Sequence, residues 1–433
     1  MLKMKLCFDR FSKDGRLLEH REHPSRSFTR GLMELLYVAH LQPTVAVPFT
    51  LADVDLVTRY LDLDNATASP NQVRYSSDLL RISSPGGNGS FLTFESMNNS
   101  GGGFTGFWPA MVQQLGTDVG IQVGVDNTAV TPTDRRLSQR IGHGSRPADG
   151  APVVFEQYIT GDDADYTMNA ATKWTAAGFT PLVSHRVTSV LVKIWKTGAP
   201  GNLTVSIKGG SPNTAWPSPA APQPYVTDCP DLAVGTILQA AIPGATPGAL
   251  TECTFGTPVD LYAGHRYFIV CRALGSSGGN SVQQRYDSGG ATYERLPEFF
   301  SADVFCEHMY STDSGVTWNP GSNTCFMFQE KGQSVGELDY GGCEFSNLVF
   351  ANPNGSFDIR RYFTNHSGED RVVKEAGICA VAHRSGSASS FNQISSYPFL
   401  IAHDYQDGAV WVAPITVHDT EILRVTYTPS ITV

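Results

Sequence analysis

Short runs in which apolar and polar residues alternate constrain the fold of this chain more than any other feature. The apolar residues of segment 2–8 recur at every second position, and a period of two places them on one face of a β-strand. Asp14-Gly15 is a turn signal, so we expect a hairpin whose returning strand includes residues 16–19. A similar alternation fills segment 422–433 at the end of the sequence. The pattern predicts a mainly-β protein.

One segment, residues 25–41, has helical periodicity instead. Its apolar residues fall on one stripe of a helix, and Ser25 or Ser27 supplies a hydroxyl that caps the first turn. The helix either covers the open face of a sheet or packs against a neighbouring subunit. The residues that we expect to make the assembly contact in the second case are Phe28, Leu32 and Leu36.

Composition excludes several classes of protein. The 433 residues carry a formal net charge of −10, which argues against a nucleic-acid binder that works by bulk positive charge. No run approaches the roughly 18 apolar residues that a membrane helix needs, and no apolar block of the kind found in a signal peptide follows the first residues. We therefore expect a chain made in the cytoplasm, without membrane insertion.

Metal and cofactor motifs are not found in the sequence. It has eight cysteines, none in CxxC spacing, so we expect no metal site and no cofactor. Six of them lie between residues 229 and 343, which is either a local disulfide set or, as we expect, a group of buried free thiols. The acidic stretch GDDADY at 161–166 is either a solvated turn or a site for a hard cation such as Ca²⁺. No phosphate-binding loop or dinucleotide fingerprint appears.

Histidines near the end of the sequence raise the question of catalysis. His383, His403 and His418 could in principle meet Asp404 and Asp419. No GxSxG motif or other nucleophile signal accompanies them. We therefore expect these histidines to be structural, and we do not expect an enzyme.

The middle of the chain differs from its flanks. The turn-rich segment 141–152 is followed by short strand-like runs, such as 189–196 and 203–208, that are separated by Gly- and Pro-rich stretches. Strands without helices between them predict a β-sandwich over about 151–332.

Two segments carry a resemblance to a known class of protein. They are IQVGVDNTAVTPTDRRLSQRIGHG at 121–144 and FTNHSGEDRVVKEAGICAVA at 363–382, the second followed by FLIAHDY at 399–405. They resemble structural proteins of tailed-bacteriophage virions, in which the two elements lie close together in sequence. The resemblance implies localisation in the virion, contacts with other virion proteins and a homo-oligomer, as a trimer or a higher ring.

Because the middle region separates the two elements, the resemblance also implies a split domain. We expect residues 1–150 and 333–433 to form a virion-assembly β-domain with the N-terminal hairpin and helix, and residues 151–332 to be inserted in it. The expected fold is therefore mainly β, with two β-sandwich or jelly-roll-like domains, one inserted in the other, plus one N-terminal helix.

The inserted region resembles jelly-roll carbohydrate-binding modules. Five pieces occur in the order of that fold, among them TSVLVKIWKTGAPGNLTVSI and FGTPVDLYAGHRYFIVCRA. This implies adhesion to host cell-surface polysaccharide, through aromatic side chains on which sugar rings stack and polar side chains that bond their hydroxyl groups. The candidate aromatic residues are Tyr286, Tyr293, Tyr310 and Trp318, and the candidate polar residues are Asp287, Asp313 and Asn319.

A Gly- and Asn-rich loop at 96–108 contains three large aromatic residues. It is either a tether that anchors in a neighbouring subunit or a mobile surface loop. The candidate assembly residues in it are Phe104, Phe107 and Trp108.

The function we expect is that of a virion structural component (tail, neck or collar, spike or fibre, or head decoration) whose inserted sandwich projects outward and binds host glycan. One alternative is a purely architectural neck, tail or decoration protein without a ligand. Another is a capsule-degrading spike enzyme, which would need two carboxylates facing each other across a cleft.

Overall fold

The computed structural model describes residues 2–25, 28–33, 49–56, 58–62, 72–74, 120–181, 183–209, 230–263, 265–289, 307–320, 324–351, 354–385 and 394–432. The chain divides into two compact units. We call Met1–Ala148 together with Ser334–Val433 the flanking unit, and Asp149–Gln333 the central unit.

Strands account for most of the described secondary structure, as the alternation predicts. The first segment of the flanking unit contains β1 (Leu2–Phe11), β2 (Leu17–Ser25), β3 (Phe49–Ala52), β4 (Thr58–Asp62), β5 (Gln72–Arg74), β6 (Gly120–Gly124) and β7 (Gly142–His143). The central unit contains β8 (Val153–Tyr158), β9 (Asp162–Met168), β10 (Trp174–Phe179), β11 (His185–Thr197), β12 (Leu203–Gly209), β13 (Ala233–Ile237), β14 (Ala249–Leu261), β15 (Tyr267–Arg272), β16 (Ser281–Asp287), β17 (Glu307–Ser311), β18 (Asn319–Pro320), β19 (Cys325–Phe326) and β20 (Phe328–Gln333), with a 3₁₀ turn at Gln239–Ala241. The second segment of the flanking unit contains β21 (Glu337–Ala351), β22 (Asn354–Thr364), β23 (Arg371–Val373), β24 (Glu375–Ser385), β25 (Ile394–Tyr405), β26 (Ile415–Val417) and β27 (Ile422–Thr432).

The flanking unit is built on a six-stranded sheet in the order β2-β1-β27-β22-β21-β7. Smaller sheets β25-β24-β6, β23-β26 and β3-β4-β5 complete its described part. Apolar residues of β1, β6, β22, β24, β25 and β27 meet in one buried cluster, together with Trp411. The alternation in β1 and β27 thus buries one face of each strand in a shared core.

The N-terminal hairpin is confirmed. β1 and β2 pair antiparallel, with Cys7 opposite Glu22 and Asp9 opposite His20. Gly15 in the turn has a φ of +80°, a conformation that glycine adopts without the penalty a Cβ atom imposes.

The predicted N-terminal helix begins later than the periodicity indicates. Ser25 is the last residue of β2, so it does not cap a helix, and Phe28 forms an isolated bridge with Ala402. Residues 30–33 are helical, and the remainder of the predicted segment, from residue 34, lies outside the described residues. Pairing with β1 keeps the chain in strand β2 as far as Ser25, the residue at which the local helical pattern begins.

The central unit is a sandwich of two sheets. One has the order β13-β12-β15-β10-β17-β18; the other has β19-β16-β11-β20-β8, with β14 added on β11 and β9 on β16. One buried cluster contains residues from both sheets, for example Val190 and Val192 of β11 with Val205 of β12 and Ile269 of β15. This shared core makes the central unit a β-sandwich.

Two further findings concern membranes and cysteines. Among the residues that the structure describes, no helix has the length and apolar character needed to cross a membrane.

Five described cysteines are free and buried: Cys7, Cys253, Cys271, Cys343 and Cys379. Cys325 is disulfide-bonded, so the expectation of free thiols is wrong at that position.

Candidate functional site

Segment 121–144 and strands β24 and β25 meet at a buried histidine in the flanking unit. His403 on β25 lies between two carboxylates: its Nδ1 is 3.0 Å from Asp134 Oδ2, and its Nε2 is 3.0 Å from Glu375 Oε2. Glu375 lies on β24 and also accepts the backbone N–H groups of Ser138 and Gln139, at 2.9 and 2.7 Å. These bonds join segment 121–144 to strands β24 and β25.

The electrostatics of this histidine favour a fixed positive charge. Burial works to lower the pKa of His403, but the hydrogen bonds to Asp134 and Glu375 outweigh it and raise the pKa to about 9. Burial would raise the pKa of Asp134, whereas its bonds from His403 and Thr131 bring it below the usual value. Because both ring nitrogens are engaged and protonated at neutral pH, His403 cannot accept a proton from a nucleophile.

The pairing of these histidines differs from the one that the sequence suggests. Asp404 does not pair with His403; it accepts a hydrogen bond of 2.7 Å from Ser25 Oγ. His418 lies 2.9 Å from Asp370 on the surface, and Asp419 accepts the backbone N–H of Gly368. The side chain of His383 lies outside the described part of the chain. Side chains of neighbouring positions on a strand point to opposite faces, which is why Asp404 and His403 do not meet.

Close packing fixes the same region. A Cβ atom at Gly124 would lie inside the van der Waals radius of the Glu375 carboxylate and 2.5 Å from the carbonyl oxygen of Gln139. Only glycine therefore fits at this position of β6. The side chains of His403 and Glu375 are 1 % exposed, so among the residues that the structure describes they join strands and present no open face to a substrate.

The acidic stretch at 161–166 is solvent-exposed at Asp163 and Asp165, as expected, but it is part of a strand rather than a turn. Asp162 to Asp165 are part of strand β9, and Asp162 pairs with both Lys193 and Arg285. Asp165 lies 3.0 Å from Arg285 and accepts the indole N–H of Trp195 at 2.9 Å. Because a lysine and an arginine neutralise these carboxylates, the stretch is poorly suited to hold a cation.

Aromatic side chains from both sheets of the central unit form a second candidate site. We call Tyr166, Tyr286, His308 and Tyr310 the aromatic patch. Ring centroids of Tyr166 and Tyr310 are 5.1 Å apart, and those of Tyr286 and His308 are 4.8 Å apart. The three tyrosines are half-buried, whereas His308 is only 4 % exposed. The patch thus combines accessible aromatic rings with a polar group beneath them.

Burial favours the uncharged forms of His308 and Tyr166 at neutral pH. Burial lowers the pKa of His308 to about 4. Its Nδ1 is 2.8 Å from Thr324 Oγ1, and its Nε2 has no hydrogen-bond partner among the described residues. Burial and the neighbouring Tyr310 raise the pKa of Tyr166 to about 12. A buried imidazole nitrogen without a partner is costly, and a ligand hydroxyl group would satisfy it.

The structure brings some of the predicted glycan-binding residues together. Tyr286 and Tyr310 are both in the patch, and exposed Asn319 pairs with Tyr310 in the β17-β18 register. Tyr293 lies outside the described residues. The sequence does not single out Tyr166 and His308. They lie on β9 and β17, which belong to different sheets, and no local signal shows that their side chains meet.

Three other candidates have structural roles. Trp318 is 6 % exposed and packs with Phe268, Val270 and Met309, so it is not the accessible aromatic surface that we expected. Asp313 closes a turn: it accepts bonds from Thr317 N–H and Oγ1 at 2.9 and 2.6 Å, which lower its pKa to about 2. Asp287 accepts the hydroxyl group of Tyr158 and the N–H of Gly289.

The assembly residues divide in the same way. Leu32 is 4 % exposed and belongs to the core of the flanking unit, against which Phe28 packs. The burial of Leu32 therefore fits the first alternative for the helix, in which the helix covers a sheet. Leu36, Phe104, Phe107 and Trp108 lie outside the described residues. The sequence did not single out Phe350, which is 82 % exposed near the end of β21.

Comparison with known proteins adds no family to this picture. No protein-family model matches the chain, and no curated protein matches it.

Proposed function

We propose that the protein is a structural component of a tailed-phage or phage-like virion, and that its central unit binds host-surface polysaccharide. The observation that carries the proposal is the aromatic patch. Half-buried Tyr166, Tyr286 and Tyr310 surround the unpartnered Nε2 of His308 on a β-sandwich.

The chemistry of the patch suits a sugar. The apolar C–H face of a pyranose stacks on tyrosine rings, which bury large area at a low cost in side-chain entropy. Sugar hydroxyl groups both donate and accept hydrogen bonds, and neutral His308 and the tyrosine hydroxyl groups do the same. Apolar walls with a few placed polar groups are typical of ligand sites.

The virion part of the proposal is supported by the flanking unit. The segments that resemble phage structural proteins form one rigid join, Asp134–His403–Glu375, in which the imidazole has no free nitrogen for catalysis. A structural role for these residues accounts for their burial. In a symmetric assembly, many weak sugar contacts from identical patches would add to a strong attachment.

The glycan proposal is tested with the full chain on an array of bacterial surface polysaccharides. We expect binding by the natural protein and a loss of about tenfold or more for Tyr310→Ala, because one stacking surface is removed. The matched control is Tyr405→Ala, a half-buried tyrosine of the flanking unit, which should bind like the natural protein. If the protein binds nothing on the array, the glycan role is contradicted and the purely architectural role remains.

Two further measurements separate the remaining functions. Gold-labelled antibody and electron microscopy of purified particles should place the chain on the virion; unlabelled particles would overturn the virion proposal. Incubation of the protein with a bound polysaccharide should release no reducing sugar over time, whereas steady release would show a capsule-degrading enzyme instead.

A further inference from the structure

The outer face of the N-terminal hairpin brings together a thiol, an imidazole and a carboxylate. Cys7 lies directly opposite Glu22 in the β1-β2 register, and His20 is two positions from Glu22 on the same face. One ligand atom from each of the three residues lies within 4.8 Å of the others. Neither the glycan nor the virion proposal uses these residues.

We infer that Cys7, His20 and Glu22 form a binding site for a divalent metal ion of the zinc class. Thiolate, imidazole and carboxylate are the donors that Zn²⁺ takes in proteins. Three protein ligands leave a fourth tetrahedral position for water. The expectation of no metal site relied on CxxC spacing, but a hairpin brings ligands together across its two strands without any such motif.

The distances are close to those of an occupied site. Tetrahedral zinc with bonds of about 2.0 to 2.3 Å places its ligand atoms about 3.5 Å apart. Cys7 Sγ is 3.8 Å from Glu22 Oε2, and His20 Nε2 is 4.0 Å from the same oxygen. The third separation, between the ligand atoms of Cys7 and His20, is at most 4.8 Å, so side-chain shifts of about an ångström or less bring all three to tetrahedral spacing. The side chains of His20 and Glu22 are 52 and 50 % exposed, so both are free to make them.

The imidazole is already oriented for a metal. His20 Nδ1 is 2.6 Å from Asp9 Oδ1, and Asp9 Oδ2 is held at 2.9 Å by Arg424. A carboxylate that accepts the Nδ1–H bond leaves the Nε2 lone pair facing the other two ligands, and this is the usual outer-shell arrangement of zinc-bound histidine.

The ammonium group of Lys5 and the proton of the Cys7 thiol must both be displaced when the metal binds. Lys5 Nζ is 3.2 Å from Glu22 Oε2 and has to move to the other carboxylate oxygen or to solvent. Burial, with Glu22 and Asp9 nearby and opposed by Lys5, raises the pKa of the Cys7 thiol to about 11. On binding, the S–H bond breaks, the metal–sulfur bond forms, and the proton passes to solvent.

The test uses the reduced full-length protein, stripped of metal with a chelator and titrated with Co²⁺. We expect a thiolate-to-cobalt charge-transfer absorption that saturates at one equivalent and is abolished by Zn²⁺. Cys7→Ser should remove this absorption. His20→Gln should weaken Co²⁺ binding at least about tenfold, since even an outer-shell change has such an effect.

The control is Glu19→Gln, which removes one carboxylate from the same strand without touching the three ligands. It should bind Co²⁺ like the natural protein. If Cys7→Ser fails to fold, His20→Gln still decides, because its side chain is half exposed. The inference is overturned if the natural protein shows no charge-transfer absorption, if the absorption survives Cys7→Ser, or if His20→Gln binds with unchanged affinity.

Discussion

The side chain of His403 is 1 % exposed and carries its charge between two acidic groups. Removing one member of such a buried set is costly because the remaining charges lose their partner. The same residue makes the stability of the flanking unit depend on pH, since its pKa in the folded protein differs from its usual value of 6.5.

The direction of this dependence follows from the raised pKa. Stabilisation by protonated His403 is fully present below about pH 6.5 and is lost as the pH rises to about 9. The difference between a pKa of about 9 in the folded protein and the usual value of 6.5 corresponds to about 3 kcal/mol of unfolding free energy. Denaturation of the full chain between pH 6 and 10 should show this loss, and His403→Gln should abolish it.

The matched control for that experiment is His418→Gln. His418 faces Asp370 in a surface pair in which both side chains are more than half exposed, so solvent screens it and it adds little. If His418→Gln removed the pH dependence and His403→Gln left it intact, the role of the buried histidine would be refuted.

At the scale of single strands, the sequence predicted elements well and their neighbours poorly. The Asp14-Gly15 turn fixes the register of the first hairpin, and with it the position of Cys7 opposite Glu22. The aromatic patch was only half foreseen, because Tyr166 comes from β9, Tyr286 from β16 and Tyr310 from β17. Their proximity depends on sheet order, which the local alternation of a strand does not encode.

The same dependence on neighbours explains two of the misassignments. The sequence gives Trp318 and Tyr310 equally as exposed aromatic candidates. In the structure, Trp318 is buried in a cluster with Phe268 and Val270, whereas Tyr310 is half exposed. Ser25 resembles a helix cap, but strand pairing with Met4 continues through it. In both cases a tertiary contact outweighs a local preference.

Strand β6 gives a prediction about packing. Gly124→Ala should lower the unfolding free energy of the flanking unit by about 1 to 3 kcal/mol, because the new Cβ overlaps the Glu375 carboxylate and the carbonyl group of Gln139. Urea denaturation of the full chain measures the change.

Gly256 on β14 provides the comparison. A Cβ atom there meets nothing within 4 Å, so Gly256→Ala should be neutral or stabilising by a few tenths of a kcal/mol up to about 1 kcal/mol. Equal destabilisation by both substitutions would mean that steric overlap at Gly124 is not the cause.

On the scale of the whole molecule, each unit has a core of its own. The central unit buries one cluster between its two sheets, which is the usual requirement for independent folding. We therefore expect residues 149–333, expressed alone, to give a cooperative thermal transition and a near-ultraviolet circular dichroism signal.

A shorter fragment, 159–327, is the control because it lacks β8 and β20 and so exposes a side of β11. It should lose the cooperative transition. A non-cooperative 149–333 fragment would show that the central unit depends on the flanking unit for its fold.

The ends of the central unit are neighbours. Val153 at its start pairs with Gly332 at its end, on adjacent antiparallel strands. The chain therefore leaves the central unit next to the point where it enters. Recombination at these two nearby points would exchange the whole central unit without changing the path of the rest of the chain. A different β-sandwich, placed between residues 148 and 334, would keep the β-strands on either side of the junction intact. Under the proposed function, such an exchange would change the polysaccharide that is bound while the flanking unit keeps its fold.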